Sequence, residues 1–322
     1  MRILLTTTSY QDTPGAHHKL LADSGYEVVR ARGPLKEAQL LEIINAPGGG
    51  FDALLNGDDI ITAKVIDALL PRLKVISKYG IGVDSIDVEH ATKHKIPVLF
   101  CPGVNHTTVA EHVFGLMVGL AKHFWPHVSS VKKGEWKRVT GTELFGKTIG
   151  VLGMGRVGKE VLLRGKAFGM TPIAYDIFWD DKFAAELGVK RCATAEDVLK
   201  EAHVVSLHMN LTKENEGFIN AQRIELMPKG AILINTARGG LVVEADLAAA
   251  CKSGRLGGYG ADVLDVEPIQ APHPFMQIDN ILITPHVGSR TGESVQRQAL
   301  MSTENLILSL SGKKPLAQFN KF

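Results

Sequence analysis

The sequence has 322 residues, of which 45% are hydrophobic and 22% are charged, and its formal net charge is +2. This length allows two ordinary domains, and the balanced charge without a Lys/Arg block argues against a nucleic-acid partner. Met1 leads directly into a strand-like segment, and no apolar run reaches the length of a membrane span. We therefore expect a cytoplasmic protein without a membrane partner.

The cysteines and histidines predict neither a disulfide framework nor a metal site. The three cysteines, which have no CxxC spacing, are Cys101, Cys192 and Cys251. Among the histidines, His17 with His18 and His123 with His127 lie close enough in sequence to suggest shared ligation. Adjacent histidines are usually surface residues, and Pro126 interrupts the helical spacing of the second pair. We therefore predict that the protein has no metal site.

The first third of the chain alternates between short aliphatic or β-branched runs and longer segments with helical spacing. The predicted strands are residues 3–7, 27–31, 53–55, 74–77 and 97–100. The predicted helices between them include residues 17–24, 35–45 and 63–70. This alternation predicts βα units, a parallel sheet and therefore an α/β fold.

A glycine-containing loop follows one of these predicted strands directly. Its residues are Lys78, Tyr79, Gly80, Ile81 and Gly82. Glycines at the end of a strand expose backbone amides at the edge where doubly wound sheets bind anions. The loop is a candidate cradle for a substrate carboxylate, and a simple strand-ending turn is the alternative.

A long apolar helix is predicted from about residue 105 to Lys122, and its length suits a connector between domains. An amphipathic arm follows it, with Trp125 and Trp136 among basic residues. Exposed aromatic residues on such an arm are typical of a subunit interface. We therefore expect a homodimer.

Residues 148–158 combine a short apolar run with a GxGxxG pattern and a helical continuation. In this pattern the first glycine permits a tight turn, the second lets the backbone approach a pyrophosphate, and the third lets helix pack on strand. The unpaired amides at the start of that helix suit a dianion. The predicted cofactor contacts of this loop are Gly153, Met154, Gly155, Arg156, Val157 and Gly158.

Asp176 ends the next strand-like run, residues 171–176, at the spacing of a neighbouring parallel strand. A carboxylate at this position accepts a hydrogen bond from the ribose 2′-hydroxyl, whereas a 2′-phosphate needs an arginine. No arginine follows, because the next residues are Ile177, Phe178 and Trp179. The pattern predicts NAD rather than NADP, and the alternative is an aspartate that caps a turn or helix.

Further apolar runs at residues 204–207, 231–235, 259–263 and 281–284 complete a dinucleotide-binding sheet that spans roughly residues 102–287. Residues 292–310 form a closing helical segment. We expect this last helix to pack on the first domain.

Three polar residues follow these later strands, at the sheet edge where ligands bind: Arg238, Glu267 and His286. A guanidinium at Arg238 pairs with the carboxylate of a 2-oxo acid and polarises its carbonyl. His286 exchanges a proton with the substrate oxygen, and Glu267 favours the protonated imidazole. Taken singly, each has an alternative interpretation: Arg238 as a surface cation, Glu267 as a turn residue, and His286 as a buried histidine with its hydrogen bonds made within the protein.

The stretches GIGVDSID, NHTTVAEH, GMGRVG, INTARGG, GADVLDVEP and ITPHVGS resemble the D-2-hydroxyacid dehydrogenase family over nearly the whole chain. The resemblance implies a Rossmann-type NAD-binding domain, residues 102–287, inserted into a discontinuous flavodoxin-like substrate domain, residues 1–101 and 288–322. It implies that Arg238, Glu267 and His286 are catalytic, and that the loop at residues 78–82 and Asn105 bind substrate. The further cofactor contacts that it implies are Thr108, His208, Thr236, Ala237 and Asp262.

Within the family, the arm and the segments GTELFGKTIG and LINTARGGLVVEADL are most similar to phosphoglycerate dehydrogenases. Those enzymes commonly carry an arginine near the position of Asn56, whereas here Asp58 and Asp59 follow and repel a phosphate. Lys78 and Arg138 leave some capacity for an anion. We therefore predict NAD-dependent interconversion of a small D-2-hydroxy acid and its 2-oxo acid.

Two alternatives remain open from the sequence. One is a D-3-phosphoglycerate dehydrogenase without the regulatory domain of the longer enzymes, since the sequence ends at Phe322. The other is an NAD-sensing binding protein that resembles the corepressors of this family. Those relatives keep the same Arg, Glu and His, but they usually carry long disordered extensions.

Overall fold

The computed structural model describes residues 1–322 and divides into two compact units. The first unit contains Met1–Asn105 and Arg290–Phe322, and the second contains His106–Ser289. Both units have helices around a parallel sheet, which confirms the predicted α/β class. No helix is both long and apolar enough to cross a lipid bilayer.

The sheet of the first unit has five parallel strands in the order β2-β1-β3-β4-β5. These strands are β1 (Arg2–Leu5), β2 (Glu27–Arg30), β3 (Ala53–Asn56), β4 (Val75–Lys78) and β5 (Val98–Leu99). The helices among them are α1 (Thr8–Asp12), α2 (Ala16–Asp23), α3 (Glu37–Asn45), α4 (Ala63–Leu69) and α5 (Val88–Lys93). This strand order is that of flavodoxin-like sheets.

Alternate residues of the central strands fill two separate cores on the two faces of this sheet. Leu4 packs on one face with Leu40 and Ile66 from α3 and α4. Ile3 and Leu5 point to the other face. Because both faces are covered, the strands read as continuous apolar runs in the sequence.

The second unit is built on seven parallel strands in the order β12-β11-β10-β9-β6-β7-β8. These strands are β6 (Thr148–Leu152), β7 (Thr171–Tyr175), β8 (Lys190–Arg191), β9 (Val204–Leu207), β10 (Ala231–Asn235), β11 (Leu256–Ala261) and β12 (Ile281–Ile283). The order reverses beside β6, as in doubly wound dinucleotide-binding sheets, and ligands bind such sheets at that reversal.

Seven helices belong to the second unit. They are α6 (His106–Ala121), α7 (Phe124–Lys132), α8 (Arg156–Ala167), α9 (Asp181–Leu187), α10 (Ala195–Glu201), α11 (Ala221–Leu226) and α12 (Glu244–Ser253). Buried residues of α6 and α8 form the core on one face of the sheet, and those of α10, α11 and α12 form the core on the other. Short 3₁₀ turns at Gly239–Leu241 and Pro274–Gln277 lie in the loops after β10 and β11.

The final helix, α13 (Gly292–Leu310), returns to the first unit. Its Leu306 is fully buried in the core that also contains Ile3 and Leu5. The Thr303 hydroxyl lies 2.7 Å from the Tyr10 hydroxyl, and the Ser77 hydroxyl donates to the Ser302 carbonyl at 2.8 Å. The packing of this helix on the first unit therefore agrees with the prediction.

The bounds of β9, β10 and α13 match the predicted segments, and most other predicted elements differ by a few residues at their ends. The two-residue strand β8 was not predicted. Pro126 is the third residue of α7, and the His127 amide still donates to the His123 carbonyl at 3.2 Å. Pro126 does not break the helix, because proline is tolerated in its first turn. His123 is the N-cap of α7 with a left-handed φ of 52°, so only His127 of this pair lies within the helix.

Candidate active site

The glycine loop joins β6 to α8 in the second unit. Gly153 has a φ of 99°, and an added Cβ at this position would lie 2.5 Å from the His208 carbonyl oxygen. Gly158 packs against the loop, since an added Cβ would lie 2.1 Å from the Gly153 carbonyl oxygen. Gly155, the N-cap of α8, faces open space, with no heavy atom within 4 Å of an added Cβ. This opening fits a cofactor phosphate that approaches the backbone closely.

The other predicted loop residues surround this opening. Met154 is buried, whereas Arg156 and Val157 form the first turn of α8 and are at least partly exposed. The amides of this first turn have no partner within the helix, and they carry the positive end of its dipole. The loop therefore has the donors that a pyrophosphate requires.

Asp176 directly follows β7 and lies beside the glycine loop. Its carboxylate accepts hydrogen bonds from the Met154 amide at 2.5 Å and from the Phe178 amide at 2.7 Å. It also lines an open cleft of about 420 Å³ together with Tyr175 and Arg191. Each carboxylate oxygen has two lone pairs, so both can still accept a ribose hydroxyl.

Arg238, Glu267 and His286 follow β10, β11 and β12, which are neighbours in the sheet. Parallel strands end at the same edge, so the three residues lie on loops at that edge. The first two loops touch, because an added Cβ at Gly239 would lie 1.9 Å from the carbonyl carbon of Leu264.

His286 and Glu267 form a direct pair. Nδ1 of His286 lies 2.8 Å from Oε2 of Glu267, and both side chains are about two-fifths exposed, at 43% and 37%. The Leu264 amide donates to Oε1 of Glu267 at 3.0 Å, so both carboxylate oxygens have a partner. The carboxylate therefore fixes which imidazole nitrogen faces it.

The backbone turn at Arg238 is shaped by the buried Asn235 at the end of β10. The Asn235 side chain accepts from the Ala237 amide at 3.0 Å and donates to the Arg238 carbonyl at 2.8 Å. The Arg238 guanidinium donates to the Ala237 carbonyl at 2.7 Å. This bond, made by Nη1, holds the guanidinium against the carbonyl of the preceding residue in the same turn.

Asp262 anchors the loop that carries His286. One oxygen of its buried carboxylate accepts from the Thr284 hydroxyl at 2.6 Å and the Val287 amide at 2.9 Å. The other accepts from the Gly288 amide at 2.6 Å. Burial by itself raises the pKa of Asp262, but these hydrogen bonds, with one from His112, outweigh burial and lower that pKa.

The remaining predicted cofactor residues differ in their surroundings. Burial lowers the pKa of His208 to about 3, so the ring is neutral, and its Nε2 lies 2.8 Å from the Ser206 hydroxyl. The Thr236 hydroxyl is buried without a hydrogen-bond partner, which fits a polar ligand group beside it. Ala237 is partly buried after β10, and Thr108 is buried in the first turn of α6.

The predicted substrate loop lies in the first unit, directly after β4. Lys78 is buried, and its ammonium donates to the Gly57 carbonyl at 2.5 Å and to the Asp58 carboxylate at 2.6 Å. Tyr79 is partly buried, and burial raises the pKa of its hydroxyl to about 12. Gly80 has a φ of 133°, while Ile81 is exposed. The lysine charge is thus paired within the protein.

The two adjacent aspartates that follow β3, Asp58 and Asp59, have different environments. Asp58 is exposed, with 69% of its side chain accessible. Asp59 is fully buried and accepts hydrogen bonds from the Thr6 hydroxyl and the Leu35 amide. The expectation that both repel a substrate phosphate is therefore wrong for Asp59, which holds backbone segments together. Asn105, at the end of the first segment of this unit, has a buried Oδ1 without a hydrogen-bond partner.

Sequence reasoning missed the supporting residues of these sites. Thr284 and His112 act through hydrogen bonds that form only when distant segments meet. Asn235 bonds within its own turn, and its only sequence signal is a polar residue at the end of a buried strand. Arg191 was missed because β8 is short and exposed. Its guanidinium lies 5.2 Å from the centre of the Trp179 ring, beside the Asp176 cleft.

The comparisons with known proteins agree with this fold. The family model described as "D-isomer specific 2-hydroxyacid dehydrogenase, NAD binding domain" matches residues 114–288. The D-3-phosphoglycerate dehydrogenase of Methanocaldococcus jannaschii is 37% identical over 316 residues, covering 97% of this chain and 58% of that protein. The glyoxylate reductase of Korarchaeum cryptofilum is 37% identical over 263 residues, covering 80% of this chain and 79% of that protein.

A solved structure extends the likeness to the whole chain. The crystal structure of the TT0316 protein from Thermus thermophilus has a TM-score of 0.89 at 35% identity, covering 99% of this chain and 100% of that one. By contrast, the chain spans only a little more than half the length of the D-3-phosphoglycerate dehydrogenases that it matches, at 58% and 56%.

A doubly wound parallel sheet with a glycine loop after β6 defines the second unit as a dinucleotide-binding domain. The chain belongs to the D-isomer-specific 2-hydroxyacid dehydrogenase family. The region that matches the NAD-binding domain of this family lies within the second unit.

Proposed function

We propose that the protein is an NAD-dependent oxidoreductase that interconverts a small D-2-hydroxy acid and its 2-oxo acid. The observation that carries the proposal is the 2.8 Å contact between His286 and Glu267 at the carboxyl edge of the dinucleotide-binding sheet. Reduction of a 2-oxo acid needs a proton donor and a cation for the substrate carboxylate. Arg238, which follows a strand of the same sheet, is that cation.

The charge and geometry of the chain's own residues assign each of them a separate role in the reaction. The nicotinamide, when bound, supplies or accepts the hydride. Arg238 pairs its planar guanidinium with the substrate carboxylate and polarises the adjacent carbonyl. Because Nδ1 of His286 faces Glu267, the proton exchanged with the substrate oxygen is carried on Nε2. Glu267 holds the ring in place and stabilises its protonated form.

The proposal includes NAD as the preferred cofactor. The open space at Gly155 receives the pyrophosphate, and the Asp176 carboxylate receives the ribose hydroxyls while repelling a 2′-phosphate. Further proposed contacts, from the family resemblance, are Thr108, Met154, Arg156, Val157, His208, Thr236, Ala237 and Asp262. The unpartnered Thr236 hydroxyl supports one of them.

We propose an unphosphorylated substrate. Lys78 is the one cation of the predicted substrate loop, residues 78–82, and its charge is paired with Asp58 in the first unit. A phosphate would have to compete with that carboxylate, at a cost in electrostatic free energy. The proposed contacts of the first unit are therefore the loop amides and Asn105, which suit a carboxylate or a hydroxyl group.

We also propose that the protein is a homodimer. The arm at α7 exposes large apolar side chains, including Trp125 at 65% and Trp136 at 74% accessibility. Neighbouring Val128 and Val131 are also exposed. Aromatic and apolar side chains clustered in this way are typical of interfaces. Light scattering should give about twice the chain mass of 34.9 kDa, and a monomeric mass would contradict the proposal.

The experiment that tests the proposed activity is NADH oxidation against glyoxylate, pyruvate, hydroxypyruvate, 2-oxoglutarate and phosphohydroxypyruvate at matched concentrations. We expect the highest kcat/KM with an unphosphorylated acid, and His286→Ala should lower kcat by about 10²- to 10⁴-fold without weakening NADH binding. Preference for phosphohydroxypyruvate would contradict the substrate proposal. No turnover with any acid, despite tight NADH binding, would instead favour an NAD-sensing binding protein.

A further inference from the structure

Two helices of the first unit carry a cluster of three side chains with metal-ligating atoms. Asp67 lies on α4, His90 lies on α5, and His94 directly follows α5. One ligand atom from each residue lies within 4.8 Å of the other two. This cluster was missed in the sequence because its carboxylate comes from a different helix.

The two histidines occupy one face of a helical turn. The His94 amide donates to the His90 carbonyl at 3.2 Å, so helical hydrogen bonding continues to His94. Residues four apart on a helix lie one above the other. Their ring centres are accordingly 4.6 Å apart.

Asp67 completes the cluster from the neighbouring helix. Its Oδ1 atom lies 2.7 Å from Nε2 of His90 and 3.8 Å from Nε2 of His94. Tetrahedral zinc with bonds of about 2.0–2.2 Å places its ligand atoms roughly 3.4 Å apart. The observed separations lie on both sides of that value, and small rotations of partly exposed side chains equalise them.

The electrostatics of the cluster favour a cation. The Lys93 ammonium pairs with Glu89 at 2.8 Å, and the Lys64 ammonium lies 3.5 Å from Glu37. These two lysines are therefore paired with other carboxylates, and the ion pairs of Asp67 are with the two histidines. Two neutral imidazoles and one carboxylate carry a charge of −1, opposite to that of a divalent ion.

We propose that Asp67, His90 and His94 bind a divalent transition-metal ion of the zinc class. Imidazole nitrogens with one carboxylate suit zinc, nickel or copper, whereas magnesium and calcium require mainly oxygen ligands. The His94 and Asp67 side chains are 39% and 56% exposed, so solvent completes the coordination. The bound ion ties α4 to α5 in the first unit.

The consequence is metal-dependent stability of the first unit. The unfolded chain has no preformed cluster, so an ion that binds the folded protein raises its unfolding temperature. The proposal does not depend on the oxidoreductase activity, and its test uses neither NADH nor a 2-oxo acid.

The test is a zinc titration of the chelator-treated full-length protein against a chromophoric competitor, with thermal unfolding as a second readout. We expect one high-affinity zinc ion per chain and a rise in Tm. Asp67→Asn and His94→Ala should each weaken zinc binding at least tenfold and abolish the rise. Millimolar magnesium should not raise the Tm.

His127→Ala is the matched control. His123 and His127 have the same spacing, but Nε2 of His127 accepts from the Val139 amide at 2.9 Å, and the ligand cluster does not include them. Zinc binding should be unchanged in this variant. Absence of zinc binding, or equal binding by Asp67→Asn, His94→Ala and the wild type, would overturn the proposal. Asp67→Asn changes one exposed group, so a well-folded variant is available.

Discussion

Oε2 of Glu267 lies 2.8 Å from Nδ1 of His286, and the other oxygen of the same carboxylate accepts from the Leu264 amide. Both oxygens of Glu267 are therefore acceptors. A glutamine at this position replaces one of these oxygens with an NH2 donor, so one of the two contacts loses its acceptor.

We expect Glu267→Gln to change the pH dependence of 2-oxo acid reduction. Without the carboxylate, the protonated imidazole loses a stabilising charge, so the loss of activity at alkaline pH should begin at lower pH. The measurement is kcat/KM against pH for the variant and the wild type. Identical profiles would show that Glu267 does not act through His286.

Gly155 and Gly158 should respond differently to alanine. Gly155→Ala adds a Cβ in open space, so the Tm should be unchanged while NADH binding weakens about tenfold or more, equivalent to ~1.4 kcal/mol. Gly158→Ala forces a Cβ within 2.1 Å of the Gly153 carbonyl oxygen, and it should destabilise the protein by about 1–3 kcal/mol.

Gly115→Ala is the control for this pair, because it lies in α6 with no heavy atom within 4 Å of an added Cβ. It should leave NADH affinity unchanged. Equal NADH affinity in Gly155→Ala and the wild type, measured by fluorescence titration, would place the pyrophosphate elsewhere.

Cofactor preference should depend on Asp176 and Arg191 together. Asp176→Asn removes the charge that repels a 2′-phosphate but keeps an acceptor for the Met154 amide. Arg191 lines the same cleft, so kcat/KM with NADPH relative to NADH should rise about tenfold or more. Adding Arg191→Ala should remove most of that gain. A gain that survives the second substitution would exclude Arg191 as the phosphate partner.

His208 should make the protein less stable in mild acid. Burial lowers the pKa of the folded residue from 6.5 to about 3, so between these values the unfolded chain binds a proton that the folded chain does not. The free energy of unfolding therefore falls as the pH drops below 6.5. Urea unfolding at about pH 7 and about pH 5 measures this fall, which should be smaller in His208→Gln.

The exposed His94→Gln variant, studied in chelator, is the control for that measurement. It should retain the loss of stability shown by the wild type. If His208→Gln loses as much stability as the wild type, another group is responsible for the acid sensitivity.

Most strands and helices of the fold could be predicted from apolar runs and helical periodicity in the sequence. The predicted segments at residues 204–207, 231–235 and 292–310 match β9, β10 and α13, because the two strands are fully buried and the helix buries one face at helical spacing. The two exposed residues of β8 carry no such pattern. Arg238, Glu267 and His286 could also be predicted as site residues, because each follows a strand and parallel strands end at the same edge of the sheet.

Side-chain contacts between residues far apart in the sequence could not be predicted from such local patterns. Asp58 and Asp59 are adjacent in sequence, yet the first is exposed and pairs with Lys78, while the second is buried beneath Thr6 and Leu35. Nothing in the local pattern separates two neighbouring aspartates. The same limit applies to Asp67, which meets His90 only through the packing of α4 on α5.

The return of α13 to the first unit affects how the chain matures on the ribosome. Leu306, which fills the core beside Ile3 and Leu5, is translated after the whole of His106–Ser289. At about 5–20 residues per second, the inserted unit takes roughly 10–40 s to emerge. During that interval one face of the five-stranded sheet is covered by Tyr10 and Leu21 but lacks the side chains of α13, so the unit whose synthesis starts first is the last to finish folding.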